Sequence, residues 1–267
     1  MIAFFAFREI SVGPIIFQVW GVMAAIGFLA ALFISLSKAN GEHIAEKVIW
    51  DVMILSLAGM MIGARLFYVI SSGSFSGLFS LQGGFSLYGG LLLGGLFALL
   101  YLKRSRQDIG QIFDSLIPGL VMALIFVRIG CLMVSDHIGA PTVLPWAFIY
   151  EDGIPRHPVV LYEITFLSLL FRVLKKKPDG VSGEITLSFC AAYSAFRLVA
   201  DFLRCSDLSF CDARIYGLTF SQWIAGAMLV TATSILAYIK AKSGSRSPVS
   251  TGFPKRTFIP YNEEKDI

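Results

Sequence analysis

The sequence predicts an all-α, polytopic membrane protein, and three observations carry that reading. Of its 267 residues 56% are hydrophobic and 15% are charged, against about 25% charged in ordinary soluble domains. The mean hydropathy is +0.73. Long apolar runs are separated by polar connections whose lysines and arginines concentrate in alternate loops. The net charge of +4 is too small and too scattered to point to a nucleic-acid partner.

Seven segments come close to the ~17–25 residues that a spanning helix needs, at roughly 14–37, 49–70, 84–102, 112–134, 158–174, 184–204 and 218–239. The first follows Arg8 and Glu9 and shows no small-residue cleavage site after a short apolar core, so it reads as a retained span. Gly83, Gly84, Gly89 and Gly90 open the third, with Gly94 and Gly95 a turn later. Small residues there favour close helix approach. The fifth opens at Pro158 and is interrupted by Glu163, so a half-inserted helix is its alternative.

One set of connections holds Lys38 and Lys47, then Lys103, Arg104 and Arg106, then Lys175, Lys176 and Lys177; Lys240, Lys242, Arg246, Lys255 and Arg256 follow the last segment. The opposite set holds Arg8, Arg156 and Arg214. This bias puts the N-terminus outside and the C-terminus in the cytoplasm. A membrane domain over 1–243 and a polar tail over 244–267 result. The tail, rich in Ser, Pro, Lys and Arg, reads as disordered and resting near anionic lipid.

Arg65, Arg128, Glu163, Arg197 and Asp201 interrupt the apolar segments. A charge at the centre of a spanning helix costs roughly 2.5–3.5 kcal/mol on insertion scales and marks a candidate functional site. At a rise of about 1.5 Å per residue, Arg65, Arg128, Arg197 and Glu163 all lie roughly 8–10 Å below the outer end of their segments, and Tyr88 roughly 6 Å. Agreement between separate helices favours one polar site under the outer face.

The sixth segment is the most polar. Tyr193, Arg197, Asp201 and Arg204 step by four, four and three and share one helix face. An internal Arg197–Asp201 pair that only neutralises charge is one reading. The other is an anion site, since arginine offers a planar fork of donors suited to phosphate oxygens. Asp51 and Asp114 fall at the opposite ends of their helices, where they complement the macrodipole. The loop over 135–157 is rich in turn formers and reads either as a connector or as a lid or docking element. Trp146 and Tyr150 within it suit a membrane interface.

Cys131 and Cys190 lie within segments and read as packing residues. A Cys205–Cys211 disulfide is permitted in an outside loop but not required. His43, His137 and His157 are scattered, without metal-ligand spacing. No internal repeat of the kind common in transporters is evident.

Five groups of residues, taken in order, resemble the prolipoprotein diacylglyceryl transferase family, from the first segment through the seventh. They are Gly63 to Val69; Gly84 to Gly90; Arg128, Ile129 and Gly130 through Gly139; Arg156, His157 and Pro158 with Leu161, Tyr162 and Glu163; and Tyr193, Arg197 and Asp201. The second resembles the family's Gly-x-Ser-x-His-Gly-Gly, with Tyr88 in the His position. The third follows the frame Arg-x-Gly-Asn-x-x-Asn-Gly-Glu-x-x-Gly. There Cys131 stands for the first Asn, and Val134, Ser135 and Asp136 replace Asn-Gly-Glu. Trp20 stands where a Tyr is usual, and Asp201 where Glu is usual.

The resemblance implies transfer of a diacylglyceryl group from phosphatidylglycerol to the lipobox cysteine of a prolipoprotein, releasing glycerol 1-phosphate, without metal or other cofactor. It implies a bacterial inner-membrane location with the active site towards the periplasmic leaflet. Arg128 and Arg197 are the expected catalytic cations, with Tyr88 and Asp201 beside them. Arg65, Tyr193, Arg204, Glu163, Gly139, Trp20 and His137 are the expected substrate-binding residues. Tyr88 is a poor base at its ordinary pKa near 10, and Asp201 and His137 both qualify in its place. The departures leave open a paralogue with another phospholipid or acceptor, and a non-catalytic lipid-binding protein.

Overall fold

The computed structural model describes residues 1–73, 84, 86–176, 180–209 and 211–244. The polar tail beyond Gly244, Gly83, Phe85 and Lys177 lie outside them. Each apolar segment corresponds to one helix: α1 (Val19–Gly41), α2 (Glu46–Ser72), α3 (Leu87–Arg104), α4 (Ile109–Met133), α5 (Val159–Lys176), α6 (Glu184–Ala200) and α7 (Phe220–Gly244). Among the described residues, α1, α2, α4, α6 and α7 are long and apolar enough to cross a membrane. At 18 residues each, α3 and α5 extend about 27 Å, just short of a hydrocarbon core of about 30 Å. The chain is a mostly helical, multi-pass membrane protein.

The first apolar segment does not begin as helix. Residues 14–18 fall largely in a strand, because Gly13 takes the left-handed φ of 61° and turns Glu9–Val12 (β2) back onto Ile15–Gln18 (β3). Val12 pairs with Ile15, so the loop is Gly13-Pro14 alone. Ile2–Ala3 (β1) runs parallel to Phe148–Ile149 (β4), which pairs antiparallel with Pro155–Arg156 (β5). The loop over 135–157 is therefore a folded element pinned to the N-terminus. Tyr150, expected at an interface, is instead buried and packs beside Phe4, with ring centroids 5.7 Å apart.

The helices divide into two compact units, Met1–Ile34 with Leu116 to the end of α7, and Ser35–Ser115. In the first, Ile117, Val121 and Ile125 of α4 pack with Leu167, Leu170 and Leu174 of α5 and with Ile185 and Phe189 of α6. The three- and four-residue steps give each helix one packing stripe. Leu29, Leu169, Val199 and Val230 stay exposed, as lipid-facing positions do. Lipid tails are as apolar as leucine, so close packing rather than water exclusion holds such helices together.

In the second unit, glycine sets the α2–α3 distance. A Cβ at Gly59 would lie 2.7 Å from the Leu93 carbonyl oxygen, and one at Gly94 2.8 Å from that of Ser56. Gly63 and Gly89 abut each other's backbone in the same way. Asp51, in the second turn of α2, accepts a 2.7 Å hydrogen bond from the Tyr101 hydroxyl of α3. It links two helices, beyond the macrodipole role expected of it.

Gly89→Val should therefore force α2 and α3 apart and lower stability by about 1–3 kcal/mol or more. Gly95→Val, where a Cβ meets nothing within 4 Å, should be close to neutral. Thermal unfolding of both variants in detergent micelles checks the difference.

Candidate active site

Glu163 sits in the second turn of α5 and is 2% exposed. Its Oε1 lies 2.9 Å from Arg128 Nε and its Oε2 3.5 Å from Arg197 Nη1. The Tyr193 hydroxyl donates to Oε1 at 2.6 Å. One carboxylate thus joins arginines from α4 and α6. Arg128 also turns Nη1 towards the Cys131 sulfur, 4.0 Å away.

Arg197 reaches the next carboxylate as well. Its Nη2 is 2.9 Å from Asp201 Oδ1 and donates to Oδ2 at 3.1 Å. Asp201 lies in a single 3-10 turn, Asp201–Leu203, that ends α6. It is fully buried and accepts hydrogen bonds from Thr219 Oγ1 at 3.0 Å and from Ser221 Oγ. Those hydroxyls are held by the head of α7. Thr219 Oγ1 accepts from the Gln222 N–H at 3.2 Å, and Gln222 Oε1 accepts from the Thr219 N–H at 2.9 Å. This is a reciprocal capping box.

Arg204 follows with Nη1 4.0 Å from Asp201 and 2.8 Å from Asp212 Oδ2, and its Nη2 donates to His137 Nδ1. Cys205 and Cys211 form a disulfide that closes the loop carrying Arg204 and Asp212 at its two ends. Gly139 bridges to Arg204, and its carbonyl accepts from Arg156 Nη1 at 3.2 Å. A Cβ at Gly139 would strike the main chain of His157. Arg156, fully buried, pairs with Asp207 through two hydrogen bonds of 3.0 and 2.7 Å and with Asp152 at 2.7 Å.

The first unit thus brings together Arg128, Glu163, Tyr193, Arg197, Asp201, Arg204, His137 and Gly139. Trp20, at the head of α1 and half exposed, lines a cavity that His137 also lines. Arg65 and Tyr88 belong to the second unit. There Arg65 donates to the Gly84 carbonyl at 3.2 Å and lies 6.0 Å from the centre of the Tyr68 ring, while Tyr88 is 41% exposed in the first turn of α3. The Tyr162 hydroxyl accepts from Trp146 Nε1 at 2.9 Å.

The polar arrangement sets three guanidiniums against three carboxylates. Arg128, Arg197 and Arg204 surround two fully buried carboxylates, and the third partner, the Asp212 side chain, is 44% exposed. Burial, followed by the charges of Arg204, Arg128 and Arg197, pushes His137 down to about 3, so its imidazole is neutral at physiological pH. Cys131, Asp136 and His137 bring potential metal-ligand atoms within 4.8 Å of one another. The Arg204 hydrogen bond occupies His137 Nδ1, however, which leaves the proton on Nε2 and no imidazole lone pair for a cation.

A family model described as prolipoprotein diacylglyceryl transferase matches residues 8–238 of the chain. Three relatives carry the name phosphatidylglycerol–prolipoprotein diacylglyceryl transferase. One from Nitratidesulfovibrio vulgaris is 32% identical over 74% of this chain and 80% of its own length. One from Nitrosomonas europaea is 30% identical over 92% and 94%. One from Bordetella parapertussis is 26% identical over 86% and 93%.

Glu163→Gln should strip both guanidiniums of their shared counter-charge and cost about 3–5 kcal/mol of stability, as breaking a buried ion pair does. Thermal unfolding of the purified variant measures this. His137, whose folded pKa lies below its ordinary 6.5, contributes stability that is complete above pH 6.5 and falls away towards pH 3. His137→Gln should flatten melting temperature against pH across that window.

Proposed function

The chain belongs to the prolipoprotein diacylglyceryl transferase family, and from that membership we propose that it moves a diacylglyceryl group from phosphatidylglycerol onto the thiol of a lipobox cysteine. A carbon–sulfur thioether bond forms, the bond from that carbon to the phosphate oxygen breaks, and glycerol 1-phosphate leaves. The observation that carries the reading is the buried cluster of Arg128, Arg197 and Arg204 around Glu163 and Asp201.

Negative charge grows on the departing phosphate as the thiol attacks. Donors already fixed in place stabilise that charge without reorganising, and such donors are worth about 10²–10³ in rate. Glu163 and Tyr193 hold Arg128 and Arg197 where they can act, and Asp201 aligns Arg197 rather than consuming its charge. Arg204 takes the headgroup. The attacking sulfur must be a thiolate; the guanidiniums beside it favour that ionised form, and the thiol proton is released to water. Arg65 and Tyr88 are proposed to guide the lipid from the second unit.

Seven helices spanning the bacterial inner membrane, with the N-terminus outside and the C-terminus in the cytoplasm, fit this chemistry. The site then faces the periplasmic leaflet, where the acceptor thiol emerges. The excess of lysine and arginine in alternate connections supports that orientation.

Purified protein incubated with phosphatidylglycerol and a lipobox peptide should add one diacylglyceryl mass to the peptide cysteine. Arg128→Ala and Arg197→Ala should each reduce this by at least about 10²-fold while remaining membrane-inserted. Arg128→Lys, which keeps the charge but loses the planar fork, should recover only part of the rate. Transfer at the wild-type rate by either alanine variant would reject the assignment.

A further inference from the structure

A cavity of about 650 Å³ lies in the first unit, lined among others by Arg8, Trp20, Asp136, His137, Glu151 and Asp152. Its size suits several side chains of an extended polypeptide. His137 stands at its boundary with the arginine cluster, since the same imidazole lines the cavity and accepts from Arg204.

The charge balance changes across His137. On the far side Arg128, Arg197 and Arg204 are matched by Glu163, Asp201 and Asp212. On the cavity side carboxylates outnumber cations. Arg156 is already shared between Asp152 and Asp207. Arg8 meets Glu151 at 3.1 Å, but both side chains are well over half exposed, so this pair is weak and opens readily. Asp136 accepts the His137 main-chain N–H at 2.9 Å, and its other oxygen lies 3.5 Å from His137 Nε2. That imidazole carries no charge, so Asp136 keeps its own. Among the charged lining residues one guanidinium, Arg8, therefore faces three carboxylates, Asp136, Glu151 and Asp152. Such a wall repels a phosphodiester and attracts a neutral or cationic chain.

We infer that this acidic cavity is the acceptor subsite, holding the polar polypeptide that follows the acceptor cysteine and selecting against acidic residues there. The inference rests on the transferase reading and adds its specificity. Phosphate is gripped on one side of His137, the acceptor chain on the other, and the thiol meets the lipid carbon between them. Asp136 and Glu151 are the specificity-determining side chains.

The test uses the full chain in phosphatidylcholine nanodiscs. Fluorescent lipobox peptides with the cysteine replaced by serine cannot react, so affinity is read without turnover. Three versions carry two lysines, two serines or two aspartates directly after that position. The lysine peptide should bind at least about tenfold more tightly than the aspartate peptide. The gap should close to under threefold in Glu151→Lys and in Asp136→Asn, and should shrink in high salt. Equal affinities, the reverse order, no measurable binding of any peptide, or an unchanged gap in both variants would overturn the subsite. So would equal displacement of all three peptides by glycerol 1-phosphate, which would make the cavity a headgroup site. Thioether formation on cysteine peptides is scored separately. Its absence would sink the transferase reading while charge-ordered binding of the serine peptides still stood.

Discussion

The interior of the first unit depends on Glu163. Two guanidiniums about 6 Å apart at an effective dielectric near 20 repel by about 3 kcal/mol, and helices α4 and α6 would separate under that force in a medium without water. One carboxylate from α5, touching Arg128 with one oxygen and Arg197 with the other, turns repulsion into cohesion. Tyr193 completes the arrangement by donating to the same carboxylate. Because Glu163 is shared between two arginines, it orients both.

From this centre an alternating series runs outward: Arg128, Glu163, Arg197, Asp201, Arg204 and Asp212. Its inner members are buried and its last is nearly half exposed. Buried ion pairs contribute little net stability once desolvation is counted, but they impose a defined geometry. Here the geometry is the product. The Cys205–Cys211 link closes the loop at the outer end, and Gly139 admits the backbone of His157 beside it. Arg128, Glu163 and Arg197 come from α4, α5 and α6, so displacement of any one of these helices would be felt along the series.

Much of this was legible in sequence because helical periodicity is local. Seven apolar runs became seven helices, and the steps from Tyr193 to Arg204 put one polar face on α6. The reading weakened where partners are distant in the chain. Thr219 and Ser221 carry no local mark of a role, yet they supply the hydroxyls that hold Asp201, 18 and 20 residues away. Asp207 and Asp212 read as ordinary loop acids until the fold sets them against Arg156 and Arg204. The hairpin before α1 was hidden inside an apolar run, since hydrophobicity alone does not separate strand from helix over five residues. Arg65 and Tyr88 fall in the second unit and Arg128 in the first.

The departures from the family pattern gain a physical account from the same contacts. Asp201 is one methylene shorter than the usual Glu and stands at the C-terminal end of α6, where the helix dipole disfavours an anion. Two features offset this. The head of α7, whose dipole favours an anion, approaches the carboxylate, and its Thr219 and Ser221 hydroxyls donate to it. The capping box between Thr219 and Gln222 fixes that helix start, so the hydroxyls are in place before any ligand arrives. Arg214 ties the two segments together by donating to the Asp201 and Arg204 carbonyls at 3.2 and 3.3 Å. A shorter acid at this position is therefore coupled to a hydroxyl-bearing start of α7: remove the hydroxyls and Asp201 becomes a buried anion held by the arginine side chains of Arg197 and, more distantly, Arg204.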